Sequence, residues 1–172
     1  MESGKLANRM AVALIAVAGS TLTGIAAFEG FRDTAYIPVK GDVPTIGFGS
    51  TRGVKMGDKI TPERALQRLL DEVDSEYAQG VRRCVKVPLA QYEFAAYLSL
   101  TYNIGVSAFC RKAEPGKPPN LIDLINAQRY DEACRRIEAF VYAGGRRLRG
   151  LERRRAEERA ICEGKRYGKE TA

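Results

Sequence analysis

Three side chains in one short stretch have the chemistry to cleave an acetal. Glu29 is a carboxylic acid that ends an uncharged, largely apolar run. Asp42 and Thr45 follow in a segment punctuated by Pro38, Gly41, Pro44, Gly47 and Gly49. A glycosidic bond breaks through an oxocarbenium-like transition state. One carboxylic acid protonates the leaving oxygen, and a second carboxylate activates water or attacks. Glu29 suits the acid's part, because Phe28 and Phe31 flank it and can desolvate it, which favours the protonated form. General-acid help of about 100- to 10,000-fold is worth roughly 3–5 kcal/mol of barrier. The plainer reading of Glu29 is a solvated carboxylate at a helix end. Asp42 follows Gly41, and Gly-Asp is ordinary hairpin-turn chemistry. In a regular strand Asp42 and Thr45 would point to opposite faces. Asp42 therefore serves only if the turn re-aims it. Asp33 is a poorer second carboxylate, being too close to Glu29 along the chain. Gly47 and Gly49 either let a glycan approach the backbone or allow close packing of a sheet.

The elements that must hold these residues can be read in order. Ala35-Tyr36-Ile37 and Thr45-Ile46-Gly47-Phe48 are strand-like and bounded by turn residues, which predicts a small, twisted antiparallel sheet with a hairpin. Thr61-Pro62-Glu63 reads as a helix start, with a capping Thr, Pro at the first helical position and an acidic first turn. Leu66, Leu69, Leu70, Val73, Tyr77 and Val81 carry that helix to about Arg83. Pro88-Leu89-Ala90-Gln91 opens another helix, with Phe94, Leu98 and Tyr102 on one face and a stop at Asn103-Ile104-Gly105. Residues 113–119 form a loop. Asn120 caps a short helix, and Asp131 caps a further one through Cys134, Ile137 and Phe140, broken at Gly144-Gly145. The last helix carries Arg146, Arg147, Arg149, Arg153, Arg154, Arg155 and Arg159. That run reads as a solvated face tied by Glu152, Glu157 and Glu158, or else as a surface attracted to anions.

Composition bounds the rest. A chain of 172 residues with 45% hydrophobic and 28% charged residues is globular. Its net charge of +7 favours polyanionic partners such as nucleic acid, anionic lipid or cell-wall polymer. There is no His, which excludes a His base or a His-rich metal site. Cys84, Cys110, Cys134 and Cys162 form no CxxC pair and lack zinc-ligand spacing. No cofactor and no metal are expected. An even number of spaced cysteines suits disulfides if the chain is exported, or buried thiols if it is not.

Residues 10–28 carry no charge over 19 positions, long enough to span a bilayer as a helix. Val12, Leu14, Ile15, Val17, Leu22, Ile25 and Phe28 together favour insertion by about 2–4 kcal/mol. Gly19, Ser20, Thr21, Thr23 and Gly24 weaken it. Three readings compete: a cleaved signal peptide with Ala16-Val17-Ala18 before Gly19, a buried helix of a soluble protein, and a marginal membrane helix that enters and later leaves the bilayer. Lys5 and Arg9 precede the run, giving a mild preference for an N-in orientation.

Glu29-Gly30, Tyr36, Gly41 and Thr45-Ile46-Gly47-Phe48-Gly49 resemble the catalytic signature of phage-type lysozymes, Glu-Gly followed by Tyr-x-Asp-x-x-Gly-x-x-Thr-x-Gly-x-Gly. Val87-Pro88-Leu89-x-Gln91-x-x-Phe94-x-Ala96, Asn103-x-Gly105, Ala108-Phe109-Cys110 and Gly150-Leu151-x-x-Arg154-Arg155-x-x-Glu158 extend the likeness, which covers about residues 25–163. With residues 10–28 the chain is similar to the signal-anchor-release endolysins. The resemblance implies an α+β, lysozyme-like fold with a small antiparallel β-lobe (about 33–60), a mainly helical C-terminal lobe (about 61–163) and an active-site cleft between them. It divides the chain into a tethering segment, 1–28, which packs as the first helix of the helical lobe after release, and a catalytic domain, 29–172. It implies a peptidoglycan muramidase that inverts at the anomeric carbon, with Glu29 as the acid and Thr45 holding the water. The family Asp position falls on Pro38, with one extra residue before Thr45, so Asp42 is the nearest carboxylate. The expected protein is a monomer, tethered at the inner membrane by residues 10–28, then released in the periplasm, and it binds no nucleic acid. No Cys lies in the tether, so no thiol trigger is expected. Four cysteines allow three connectivities, and the sequence does not choose between them; Cys84–Cys110 and Cys134–Cys162 are the pairs expected, since each flanks or joins neighbouring helices. The rival functions are a catalytically inactive peptidoglycan-binding lysis regulator and a lytic transglycosylase. A nucleic-acid binder would rest on charge alone, with no motif behind it.

Overall fold

The computed structural model describes residues 8–38 and 41–165. Packing divides the chain into two compact units, one of Ala18–Glu76 and one of Met1–Val17 with Tyr77–Ala172.

In the first unit, α1 (Gly19–Glu29) stops at Gly30, whose φ of 70° only glycine adopts readily. The Gly30 N–H still donates to the Ala26 carbonyl at 3.1 Å, so Glu29 is the last helical residue. Strands β1 (Arg32–Tyr36) and β2 (Thr45–Gly47) pair antiparallel, with Tyr36 opposite Thr45 and Arg32 opposite Gly47 and an irregularity between. The expected sheet and hairpin are present. Ile46 and Ser50 exchange both backbone hydrogen bonds, at 2.9 and 3.0 Å, and close a tight turn through Gly47-Phe48-Gly49. Ala35, Ile46, Val54 and Ile60 form a small core under the sheet. Helix α2 (Pro62–Glu72) starts as its residues dictate: the Thr61 hydroxyl oxygen accepts from the Arg64 N–H at 3.4 Å, and Pro62 follows. Gly47 is buried, and a Cβ there would lie 3.1 Å from the Ala65 Cβ. Close packing and a φ of 67° together account for this glycine.

Helix α2 does not end at Glu72. A π-helical turn over Val73–Ala78 leads into α3 (Gln79–Cys84), so helical backbone runs from residue 62 to 84 as expected. The boundary between the units falls inside that turn.

The second unit is built on α4 (Gln91–Ile104), buried continuously from Glu93 to Thr101. Around it lie α5 (Val106–Phe109), α6 (Leu121–Asn126), α7 (Tyr130–Arg136), a 3-10 turn at Ile137–Ala139 and α8 (Arg149–Cys162). Asn120 precedes α6, where its N–H donates to the Asp123 carboxylate at 2.9 Å. Asp131 lies within the first turn of α7 rather than capping it. Gly144-Gly145 does more than break a helix. Both residues have positive φ, 56° and 75°, and join β3 (Tyr142–Ala143) to β4 (Arg146–Arg147) as a second hairpin. Helix α8 consequently starts at Arg149. Cys84–Cys110 and Cys134–Cys162 are both bonded, as expected.

Two expectations are corrected. Residues 10–28 do not form one helix. Only Gly19–Glu29 is α-helical, and it belongs to the unit containing the sheet. The preceding segment is a strap on the second unit. Met10 exchanges backbone hydrogen bonds with Leu89, both at 2.9 Å, Val12 and Ile15 are buried, and the Ile15 carbonyl accepts from Arg82 at 2.8 Å. Backbone pairing and burial of Val12 and Ile15 outweigh the helix propensity of the Ala-rich run. Nor are the α8 arginines simply solvated. Arg155 and Glu158 are fully buried and Arg154 is 7% exposed. Arg154 Nε lies 3.1 Å and Arg155 Nε 2.7 Å from the Glu158 carboxylate, which also accepts from the Ser99 hydroxyl at 2.8 Å. One face of α8 packs on α4, and there the charges pair inside the core.

Candidate active site

All three residues singled out for chemistry lie in the unit Ala18–Glu76. Glu29 is half-buried and held in the last position of α1. The neighbouring Phe31 ring is 38% exposed and meets Phe48 at 5.5 Å between centroids. Phe31 thus leads from Glu29 into the β2 turn.

Thr45 opens β2 and is 6% exposed. Its hydroxyl donates to the Val43 carbonyl at 3.1 Å. The same Val43 residue donates its N–H to Asp42 Oδ1 at 3.0 Å. One residue therefore ties the two side chains: its amide holds the carboxylate and its carbonyl holds the hydroxyl. Asp42 is exposed and lies outside the strand, after Gly41 with its φ of 93°. Strand alternation does not govern it, so its three-residue spacing from Thr45 does not force the two side chains to opposite faces. Asp42 Oδ1 is used locally, as expected of a turn residue.

Tyr36 is the Cα partner of Thr45. Its ring carries the Arg32 guanidinium 5.5 Å away. Asp33 goes elsewhere, to the other edge of β1, where its carbonyl accepts from the Ile60 N–H at 2.9 Å. Behind the turn, the buried Ser50 hydroxyl donates to Glu72 at 2.8 Å, and Glu72 also pairs with Arg68 at 3.0 Å. Arg68 in turn reaches the Arg52 carbonyl. This network fixes the loop after β2 to α2. No spacing rule links Ser50 to Glu72, so it had no signal in the sequence.

In the second unit, a buried ion pair was also illegible. Glu93 is 2% exposed and accepts from Arg9 at 2.6 and 3.0 Å and from the Ala90 N–H at 2.8 Å. Arg9 lies over the Tyr130 ring at 3.8 Å. Among the described residues, no group of three or more His, Cys, Asp or Glu could hold a metal ion. Among them, too, no helix is long and apolar enough to cross a membrane.

The sequence profile described as phage lysozyme matches residues 26–158. The SAR-endolysin of Enterobacteria phage P21 is 30% identical over 150 residues, covering 86% of this chain and 87% of that protein. The endolysin of Bacillus phage B103 is 30% identical over 152 residues, covering 86% of this chain but 55% of its own length. The chain thus spans about half of that relative and most of the P21 protein. Among solved structures, an endolysin from Escherichia coli O157:H7 phage FAHEc1 superposes with a TM-score of 0.71 at 32% identity, over 87% of this chain and 94% of that one. A match over most of the chain, together with these relatives, places the protein: it belongs to the phage lysozyme family.

Proposed function

We propose that this protein is a glycoside hydrolase that cuts peptidoglycan at the β-1,4 bond from N-acetylmuramic acid to N-acetylglucosamine. Glu29 acts as general acid. Asp42 and Thr45 position the attacking water, with inversion at the anomeric carbon. The observation that carries this reading is the joint anchoring of Asp42 and Thr45 on Val43, in the same unit as Glu29 at its helix end. Asp42 keeps a second carboxylate oxygen for water, and Thr45 keeps its oxygen lone pairs while its proton is committed to Val43.

Delivery follows from the two lives of residues 10–28. As one helix, these 19 residues would span about 28 Å, close to the bilayer's hydrocarbon thickness. In the folded state the same residues are split between a strap and α1. The two conformations exclude each other over residues 10–18, so the tethered enzyme lacks its Met10–Leu89 pairing, and its Glu29 is held at the bilayer surface. Export to the periplasm in the tethered form, followed by release as a monomer, is the route proposed. The name SAR-endolysin carried by the P21 relative supports it.

The test is release of reducing sugar from purified peptidoglycan. Wild type should release it and Glu29→Gln should lose at least about 100-fold. Mass spectrometry of the products should show reducing muramic ends; anhydro-muramic ends would mean a transglycosylase, and intact glycan would mean an inactive binder.

A further inference from the structure

Strand β1 has a second edge. There the Ala35 N–H donates to the Asp58 carbonyl and the Ile60 N–H to the Asp33 carbonyl, each at 2.9 Å. A cavity of about 270 Å³ opens beside this edge, lined by Asp33, Lys59, Ile60, Thr61 and Arg64. Pockets for drug-sized molecules run from about 300 to 1,000 Å³. This one is smaller and suits a single amino-acid-sized group better than a disaccharide.

Its lining carries both signs of charge. Asp33 accepts one hydrogen bond on its carboxylate, from the Thr34 hydroxyl at 3.1 Å. Lys59 and Arg64 are exposed, and neither side chain makes an ion pair among the described residues. One carboxylate and the Arg64 guanidinium thus belong to the same lining without closing on each other. Half-buried Ile60 supplies an apolar wall. A simple anion would meet Asp33, and a simple cation would meet Arg64. A group carrying both charges satisfies both sides, its ammonium on Asp33, its carboxylate on Arg64, and its methylenes against Ile60.

We propose that this cavity binds the zwitterionic α-amino-acid end of a diamino acid, as borne by uncrosslinked stem peptides of peptidoglycan. This rests on the reading that peptidoglycan is the substrate. Crosslinking acylates that amine and removes its charge, so the site would favour uncrosslinked wall. Asp33, set aside as a catalytic carboxylate, becomes a binding residue.

The experiment is an amide-resolved NMR titration of the full chain with meso-diaminopimelate. Diaminopimelate acetylated on both amines and cadaverine, which lacks carboxylates, serve as comparisons. Saturable shifts at residues 33 and 59–64 are expected with diaminopimelate and not with the other two. Asp33→Asn and Arg64→Ala should each weaken binding about 10-fold or more, while Lys117→Ala leaves it unchanged. If Asp33→Asn lowers the melting temperature, the Lys59→Met/Arg64→Gln double variant replaces it. Absence of saturable shifts, equal binding of the acetylated compound, or indifference to these variants would overturn the proposal. Sugar release is measured alongside. Hydrolysis without binding sinks the cavity alone, and binding without hydrolysis sinks the muramidase reading alone.

Discussion

At the scale of single residues, Val43 links the two side chains proposed to hold water, and this separates their roles. Asp42→Asn keeps the turn acceptor but removes the charge. Thr45→Ala removes the hydroxyl that donates to the carbonyl of Val43, an exposed residue whose carbonyl water can then serve. Asp42→Asn should therefore lower kcat by about 100-fold or more with the melting temperature unchanged. Thr45→Ala should lower kcat and cost stability only modestly, by about 0.5–1.5 kcal/mol. Kinetics and thermal melts on the same samples check the pair; an Asp42→Asn enzyme at full rate would remove Asp42 from the site. A second residue-scale device is the Glu158 cluster. Burial pushes the Glu158 carboxyl up, against the opposing pull of Arg155, Arg154 and the Ser99 hydroxyl. Losing the negative charge strands two buried guanidiniums, so Glu158→Gln should cost about 3–5 kcal/mol in urea unfolding.

At the scale of elements, close approach decides the outcome. Gly80 lies in α3, and a Cβ there would fall 2.6 Å from both Val106 methyls of α5. Alanine gains about 1 kcal/mol of helix propensity, but overpacking costs about 1–3 kcal/mol. Gly80→Ala should lower the melting temperature by a few degrees, and Val106→Ala in the same chain should restore it. The helix that precedes the site behaves oppositely. A Cβ added at Gly19 or Gly24 meets nothing within 4 Å. A Cβ therefore fits α1 at Gly19 and Gly24, and leucine at Gly19, Ser20 and Gly24 raises the affinity of residues 10–28 for lipid. Such a variant should stay in the membrane fraction and lyse cells late. Equal solubility and equal lysis would end the release hypothesis.

At the scale of the molecule, the unit of Tyr77–Ala172 carries both disulfides. They close loops of 26 and 28 residues, worth about 3.5 kcal/mol each in loop-closure entropy. Reduction should lower the melting temperature of the wild type, and a chain with all four cysteines replaced by alanine should melt low and ignore reductant. The net charge of +7 sits on a protein whose α8 arginines are partly internal. Net charge therefore overstates what the surface offers an anion.

Local chemistry was legible wherever a residue acts within its own turn of chain. Thr61-Pro62 starting α2, the β1–β2 hairpin and the long helix to residue 84 all follow from backbone preferences expressed over a few neighbours. Glu29 stood out for the same reason, as an acid at the end of an apolar run with Phe28 and Phe31 beside it. What the sequence left open was decided by partners far along the chain. Met10 found Leu89, Arg9 found Glu93, Ser50 found Glu72, and Glu158 took its arginines into the core against Ser99. Periodicity shows that a face will be buried or a segment extended. It does not say which distant hydrogen-bonding group will meet it, because that depends on packing the elements together. For that reason residues 10–28 look like one helix in isolation and fold as a strap and a shorter helix.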